Sequence, residues 1–456
     1  MPYDPDLASP QSCCPMKQPI AFALRAGLLS SLTIGLASAA HADLTFEDID
    51  RAADEVQPQV VEWRRWFHQN PELSNREYRT AERIAEILAE MGLEPTTGIA
   101  GTGVTALIEG GRPGPLVAIR ADIDALPVTE ETGLPFASTA TAEYNGEEVG
   151  VMHACGHDTH VAMALGAAKI LNDRKVELAG RVLLIFQPAE EGPPPGEQGG
   201  ASLMIEEGLF EPEKPEAVFG LHVGIGVPGG QFATRAGPLM ASSDRFVITV
   251  NGRQTHGARP WDGVDPIVTA AQIVMGLQTI ASRQLDVTAA PSIISVGRIE
   301  GGIRNNVIPD SVELEGTIRA FDLAMRAQIH AAMERTARSI AEANGAAIDW
   351  ELEMGNPPVR NDAELFEMMI PALEHAAGAP LVAINPQTVA EDFSEYAERT
   401  PSLFTFLGNW PEGVDPATQP TNHSPEFDVH EPWLEHGVKA FGNMVVTYLG
   451  AARERE

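Results

Sequence analysis

The stretch that decides the fold is the turn His153-Ala154-Cys155-Gly156-His157-Asp158-Thr159-His160. It places a thiol, three imidazoles and a carboxylate in one short segment, and Gly156 lets the backbone fold tightly there. A thiolate and an imidazole at this spacing can both bind one metal ion. The alternative is a polar helix N-terminus, because Asp158 or Thr159 could cap the apolar helical pattern that follows.

Outward from this turn, polar side chains follow three apolar segments typical of β-strands. Residues 116–119 lead into the segment 120–127, which contains Asp124; residues 181–186 lead into Glu190-Glu191; and residues 217–221 end in His222. Sites of α/β proteins lie beyond such strand ends, although the segment 120–127 could also be a solvated turn. Adjacent carboxylates repel each other, but in a metal site one can bind the ion while its neighbour carries a proton.

The order of the predicted elements indicates two domains. Residues 46–91 predict two helices broken at Asn70-Pro71, and the alternating strands and helices between residues 243 and 343 predict a small α+β domain with an antiparallel sheet. We therefore expect an α/β protein whose catalytic domain has a central mixed sheet flanked by helices. Its parts are residues 43–238 and 351–456, and an α+β satellite domain, residues 239–350, is inserted between them.

Length and charge narrow the functional classes. A chain of 456 residues is long enough for two to three domains, and 44% hydrophobic residues are typical of a globular protein. The formal net charge of −33 disfavours nucleic acid and anionic membranes as partners, because both would repel such a surface.

The N-terminal segment resembles an export signal. Residues 1–42 contain Lys17 and Arg25, an apolar run to Ala40 and a small-residue cleavage site, so we predict a secretory signal peptide, with Met16 as a candidate start, and a periplasmic location. A buried N-terminal helix is the alternative. Removal of the leader would leave Cys155 as the only cysteine, because the other two, Cys13 and Cys14, precede the cleavage site.

Taken together, the motifs are similar to those of the M20 metallopeptidase and amidohydrolase family, in the branch of hippurate hydrolases, N-acyl-amino-acid amidohydrolases and auxin-conjugate hydrolases. The matching segments lie along nearly the whole mature chain. They are His68 to Leu73, Arg120 to Pro127, Met152 to Asp158, Pro188 to Gly192, Gly220 to His222, Asn306 to Pro309, Gly316 to Arg319, Glu391 to Phe393 and His423 to Pro425.

The resemblance implies a site with two divalent metal ions and a satellite domain used for dimerisation. By matching motif the metal ligands would be Cys155, His157, Glu191, His222 and His423. Glu190 would be the general base, and Asp124 would support a ligand. The satellite domain would add His256 as the oxyanion donor, with Asn306 and Arg319 holding the substrate. Thiolate and imidazole ligands favour Zn, Mn, Co or Ni over Mg.

Two insertions depart from the family pattern. Pro193-Pro194-Pro195-Gly196-Glu197-Gln198 follows the glutamate pair, and residues 139–148 precede Met152. Both are predicted to lie beside the pocket, where they would affect the choice of substrate.

The expected function is metal-dependent hydrolysis of the amide bond of a small N-acyl amino acid, carried out by a homodimer or larger homo-oligomer. The alternatives are a small-peptide hydrolase, a cysteine hydrolase with Cys155 as nucleophile, and a metal-dependent binding protein of the same fold. The cysteine hydrolase leaves the Glu190-Glu191 pair and His423 without a role.

Overall fold

The computed structural model describes residues 43–211, 213–224 and 226–455. The predicted signal peptide, residues 1–42, lies outside them. Within the described residues, no helix has both the length and the apolar character needed to cross a membrane.

Helices flank the two larger sheets of the described residues. They are α1 (Phe46–Gln69), α2 (Tyr78–Glu90), α3 (His157–Asp173), α4 (Gly200–Glu206), α5 (Pro266–Arg283), α6 (Leu323–Ala343), α7 (Ala363–Ala377), α8 (Ser394–Ala397) and α9 (Leu434–Arg455).

The strands of the N-terminal part are β1 (Thr96–Ile99), β2 (Gly103–Glu109), β3 (Arg112–Asp122), β4 (Thr141–Tyr144), β5 (Glu147–Gly150), β6 (Ala179–Gln187), β7 (Ala217–Val223), β8 (Phe232–Thr234) and β9 (Gly237–Met240). The later strands are β10 (Asp244–Asn251), β11 (Thr255–His256), β12 (Ser292–Glu300), β13 (Val307–Ile308), β14 (Ser311–Ala320), β15 (Ala347–Met354), β16 (Val359–Asn361), β17 (Val382–Ala383) and β18 (Ser402–Leu407).

The large sheet is mixed and has the order β1-β2-β6-β3-β7-β18-β8-β17. Strands β6, β3, β7 and β18 are parallel neighbours, so their carboxyl ends meet at one edge, and β2 runs antiparallel to β6. Residues of α1, α3 and α9 form one hydrophobic core with the sheet, and α4 and α8 contribute to a second. Since parallel strands are buried on both faces, their sequences are nearly continuous apolar runs. The predicted α/β class, with a central mixed sheet flanked by helices, is confirmed.

Local sequence explains the bounds of α1. Thr45 and Asp48 form a reciprocal capping box at its start, and the helix ends at Gln69, directly before Asn70-Pro71. Its buried residues recur at helical spacing, from Ile49 to Phe67.

The second sheet belongs to the satellite domain and has the antiparallel order β12-β14-β10-β15. Helices α5 and α6 share a separate hydrophobic core with it, which contains Phe246, Leu277 and Ile329. The predicted boundary at residue 350 falls inside β15, because β15 pairs with β10 as far as Met354. The division of the chain at residues 238 and 350 stays a prediction.

The insertion before Met152 folds as the hairpin β4–β5, in which the pair Thr141↔Gly150 lies at the base and Asn145-Gly146 forms the turn. Both turn residues have positive φ, as a tight two-residue hairpin turn requires.

Candidate active site

The carboxyl edge of the large sheet brings the predicted metal ligands together. Strand β7 carries His222, β6 leads into Glu190-Glu191, and α3 begins at His157, two positions after Cys155. The donor atoms of Cys155, His157 and His222 lie within 4.8 Å of one another, and so do those of Cys155, Glu191 and His423. The two groups share Cys155, which makes its sulfur the atom between them.

Gly156 allows the tight turn between the thiol of Cys155 and the imidazole of His157. Its φ is +97°, a conformation that side chains with a Cβ rarely adopt, and an added Cβ would lie 2.4 Å from Cγ2 of Val223. The turn therefore depends on glycine both for its backbone conformation and for its close approach to β7.

Hydrogen bonds fix the two buried imidazoles so that Nε2 points into the site. Nδ1 of His157 lies 2.9 Å from the carbonyl oxygen of Asp124 and 3.2 Å from its Oδ1. Nδ1 of His222 donates to the carbonyl oxygen of Val223 at 2.8 Å, and its Nε2 lies 3.3 Å from Sγ of Cys155. Such a partner on Nδ1 is typical of histidines that bind metal through Nε2.

Asp124 also supports the glutamate pair. Its Oδ2 accepts hydrogen bonds from Ser74 Oγ at 2.7 Å and from the backbone N–H of Glu191 at 3.0 Å. It thus contacts both His157 and Glu191 from behind, and its role as a residue that supports the metal ligands stays a prediction.

The two adjacent glutamates face different groups. Oε1 of Glu191 lies 3.2 Å from Nε2 of His423 and 4.0 Å from Nε2 of His157. Oε2 of Glu190 lies 3.9 Å from Nε2 of His157, and burial together with the charges of Glu391 and Glu191 raises the pKa of Glu190 well above its usual range. Glu190 is therefore poised to hold a proton.

Backbone strain marks both sides of the site. Ala189, directly before the glutamate pair, has φ of +52°, and His423 has φ of +71°. The N–H of Ala189 donates to Oε1 of the buried Glu77 at 2.9 Å, which holds this turn in place. Positive φ at residues other than glycine is uncommon and clusters at functional sites.

Sequence reasoning gave no role to several groups that the fold adds to the site. His160 donates from Nδ1 to Oδ1 of Asp122 at 2.6 Å and accepts the backbone N–H of Val223 at Nε2, at 2.9 Å. Burial alone would raise the pKa of Asp122, but His157, His160 and Arg120 hold it well below its usual range. Asp122 and His160 lie in the segments 120–127 and 153–160, which the sequence had already indicated as candidate site segments. Their residue types and positions there were the signals that could have predicted a role for them.

A buried cation stands behind Glu190. Arg120 donates to Asp122 at 2.6 Å, to Oε1 of Glu391 at 2.9 Å and to Oδ1 of Asp392 at 2.8 Å. The Glu391-Asp392 motif was among the matching segments, but only the fold shows that it meets Arg120.

The site opens into a cavity of about 610 Å³. Its lining residues include Cys155, Glu190, Glu191, His222 and His423 on one side, and Asn356, Val389 and Trp410 on others. A small substrate can therefore reach all of these polar groups.

The structure does not bring the three predicted substrate-holding residues into this cavity. His256 is exposed on β11, beside Asn306, whose carbonyl oxygen accepts the N–H of Gly257 at 2.8 Å. Arg319 lies on β14 and donates to Thr317 Oγ1 at 2.5 Å. None of the three is among the residues that line the cavity, so their roles stay predictions.

The donor set fits divalent metal ions. Nε2 of His157 is buried and has no hydrogen-bond partner among the described residues, although it faces the carboxylates of Asp122, Glu190 and Glu191. Burial, followed by the charges of Glu191 and Glu190, raises the pKa of the Cys155 thiol, so a thiolate there needs a cation. A buried thiol, imidazoles and paired carboxylates beside an open cavity define a metal-dependent hydrolase.

Comparisons with known proteins agree with this class. The family model described as peptidase family M20/M25/M40 matches residues 118–447. Thermostable carboxypeptidase 2 of Saccharolobus solfataricus is 38% identical over 404 residues, which are 88% of this chain and 98% of that protein. N-acetyl-L-cysteine deacetylase of Bacillus subtilis is 39% identical over 353 residues, 77% of this chain and 81% of that protein.

A solved structure has the same fold. The crystal structure of a dinuclear metal binding peptidase of the M20 family from Bacillus subtilis is 35% identical, has a TM-score of 0.73, and is matched over 87% of this chain and 99% of that one. The chain belongs to peptidase family M20/M25/M40 and is a hydrolytic enzyme, so the predicted family and the predicted enzyme class are confirmed.

Proposed function

We propose that the protein hydrolyses the amide bond of small N-acyl amino acids, with Cys155, His157, Glu191, His222 and His423 as ligands of two divalent metal ions. The observation that carries the proposal is the arrangement of these donor atoms in two groups that share Cys155, with the buried and unpartnered Nε2 of His157 in one of them, at the wall of the large cavity. The similarity to N-acetyl-L-cysteine deacetylase supports the substrate class.

When bound, the ions would supply a positive charge that lowers the pKa of water and polarises the substrate carbonyl. Glu190 takes the proton of the attacking water and returns it to the leaving nitrogen, a task that suits a carboxylate with a raised pKa. Asp124 and the carbonyl oxygen of Val223 hold the imidazoles of His157 and His222 in their binding orientation.

The proposal includes a homodimer formed through the satellite domain. Strand β12 is at the edge of its sheet and carries Ile299, which is 59% exposed, and α5, which packs beside it, carries Met275, which is 69% exposed. An edge strand next to exposed apolar residues is suited to pairing with a second copy. Export to the periplasm, from the leader-like residues 1–42, is part of the same proposal.

A small-peptide hydrolase is the second candidate, because two relatives named thermostable carboxypeptidases are 38% and 39% identical to the chain. N-acyl amino acids and dipeptides both carry an amide bond next to a free carboxylate, so the metal cluster alone does not separate them.

The test is a substrate panel with the metal-loaded enzyme. N-acetyl and N-benzoyl amino acids and matching dipeptides are compared by kcat/KM from the release of free amine, with Zn, Mn, Co and Ni in turn and Glu190→Gln as control. We expect the N-acyl amino acids to be preferred. A preference for dipeptides would favour the peptidase, and metal binding without turnover of any substrate would favour a binding protein.

A further inference from the structure

The six-residue insertion after the glutamate pair, Pro193 to Gln198, walls a second cavity. This side cavity has a volume of about 210 Å³, and its lining includes Pro193, Gln198, Ser202, Glu206 and Asp392. It shares Glu190, Gly192 and Asn356 with the large cavity. The two spaces are therefore neighbours that share the proposed general base in their linings, and a substrate bound in one can extend toward the other.

A tether holds the insertion against the start of α2. Arg76 donates to both carboxylate oxygens of Glu197, at 2.5 and 3.0 Å, and Nδ2 of Asn75 donates to Glu197 Oε2 at 3.0 Å and to the carbonyl oxygen of Gln198 at 2.9 Å. Asn75 has φ of +61°, so the chain bends sharply to reach the insertion. These hydrogen bonds from Asn75 and Arg76 hold the wall of the side cavity in position.

The side cavity is acidic. Glu190, Glu206 and Asp392 contribute carboxyl groups, Ser202 and Gln198 contribute uncharged polar groups, and no lysine or arginine of the described chain lines it. Asp392 is already paired with Arg120 and accepts hydrogen bonds from Gln187 and the N–H of Ala201, which leaves the exposed Glu206 as the carboxylate free to meet a ligand. Such a lining accepts hydrogen bonds and repels anions. It suits an amine or a hydroxyl group and disfavours a carboxylate.

We propose that the side cavity is a subsite for a hydrogen-bond-donating end of the substrate, such as a primary amine, and that Glu206 selects for it. This inference rests on the proposed amide hydrolysis in one respect: the group that enters the side cavity is a substituent of the amide substrate. Glu206 is exposed near the end of α4, so it can be replaced without disturbing the core.

Two series of compounds test the subsite, one for each side of the amide bond. On the acyl side they are N-(6-aminohexanoyl)-, N-hexanoyl- and N-adipoyl-methionine; on the amino-acid side they are N-acetyl derivatives of lysine, norleucine and 2-aminoadipate. Their binding to metal-loaded Glu190→Gln is measured by calorimetry, and kcat/KM is measured with the enzyme that retains Glu190. The variants are Glu206→Lys and, as matched control, Glu211→Lys, an exposed glutamate just beyond α4 that does not line the cavity.

In at least one series we expect the amine-ended compound to bind more tightly than the carboxylate-ended one, and Glu206→Lys to reduce this ratio on the order of tenfold. Glu211→Lys should leave the ratio unchanged. The subsite is overturned if the ratio is equal in the protein without a further change, in Glu206→Lys and in Glu211→Lys. It is also overturned if neither the amine-ended nor the carboxylate-ended compound binds. Because binding is measured without turnover, a failure of the amidase assay is a separate result.

Discussion

The two adjacent glutamates show how much one residue position decides. The backbone N–H of Glu191 is held by Asp124 at 3.0 Å and its carboxylate faces His423. Glu190 instead lies beside Glu391 and Asp392, which add to the effect of burial and raise its pKa. The same type of side chain is therefore suited to bind a cation at Glu191 and to carry a proton at Glu190.

We predict that Glu190→Gln lowers kcat by at least about a hundredfold and leaves the metal content unchanged, because the amide keeps the shape but cannot accept the proton. Glu191→Gln should instead lose metal. Turnover and metal content, by elemental analysis of the dialysed proteins, are measured together. Loss of metal from Glu190→Gln would show that Glu190 is itself a ligand.

Among the elements, α3 is the one that joins the others at the site. Its first turns contact β3 and β7 through His160, and Asp158 faces α1, where it accepts hydrogen bonds from Arg64 at 2.9 Å and from His68 at 2.8 Å. These contacts are buried, so their loss is not compensated by water.

His160→Gln is predicted to weaken metal binding about tenfold to a hundredfold, because Val223, the residue after His222, loses the acceptor that holds the end of β7. Chelator competition gives the metal affinity, and thermal unfolding of the metal-free protein gives the stability. A drop in stability with unchanged metal affinity would contradict a positioning role for His160.

The contact between α1 and α3 should also make stability depend on pH. Burial alone would lower the pKa of His68, but Asp158 and then Glu130 outweigh it and raise the pKa to about 8. A raised pKa stabilises the folded state fully below about pH 6.5, and this contribution of roughly 2 kcal/mol is lost as the pH rises through about 8.

We therefore expect the free energy of unfolding of His68→Gln to lie furthest below that of the unmodified protein near pH 6 and to approach it near pH 9. Urea unfolding between pH 5.5 and 9 measures the difference, and Glu130→Gln, which replaces a charged acceptor of His68 with a neutral amide, should narrow it. Parallel curves over the whole range would count against this assignment.

At the scale of the whole molecule, His256 has no place in the site of its own chain. It is exposed on the satellite domain and does not line the cavity that contains Glu190. In the proposed dimer it would serve the partner's site, where loss of one oxyanion donor costs on the order of a hundredfold to a thousandfold in rate.

Mixed dimers test this arrangement. Glu190→Ala and His256→Ala homodimers should each be nearly inactive, and activity should return when the two are unfolded together and refolded, because one site then keeps Glu190 and receives an intact His256. A mixture of Glu190→Ala with Glu191→Ala is the control, since it produces no complete site. If exchange of subunits is verified and no activity returns, His256 does not act across the interface.

The sequence by itself determined the family, the fold class and the candidate donors. Only Gly156 lies between Cys155 and His157, and Glu190 and Glu191 are neighbours. The metal-binding and proton-carrying roles proposed for these residues could therefore be predicted from local patterns. His222 and His423 could be predicted because each stands in a short motif that matches the family.

Only the tertiary structure decided which distant groups surround those donors. Arg120 meets Glu391 across 271 positions of sequence, and His160 meets Asp122 across 38. Contacts of this kind follow from the order of strands in the sheet, where β3 lies between β6 and β7 and β18 lies beside β7, and that order differs from the order in the chain. The position of His256 outside the cavity, the shifted pKa values and the side cavity were decided in the same way, because each depends on packing between segments that the sequence keeps apart.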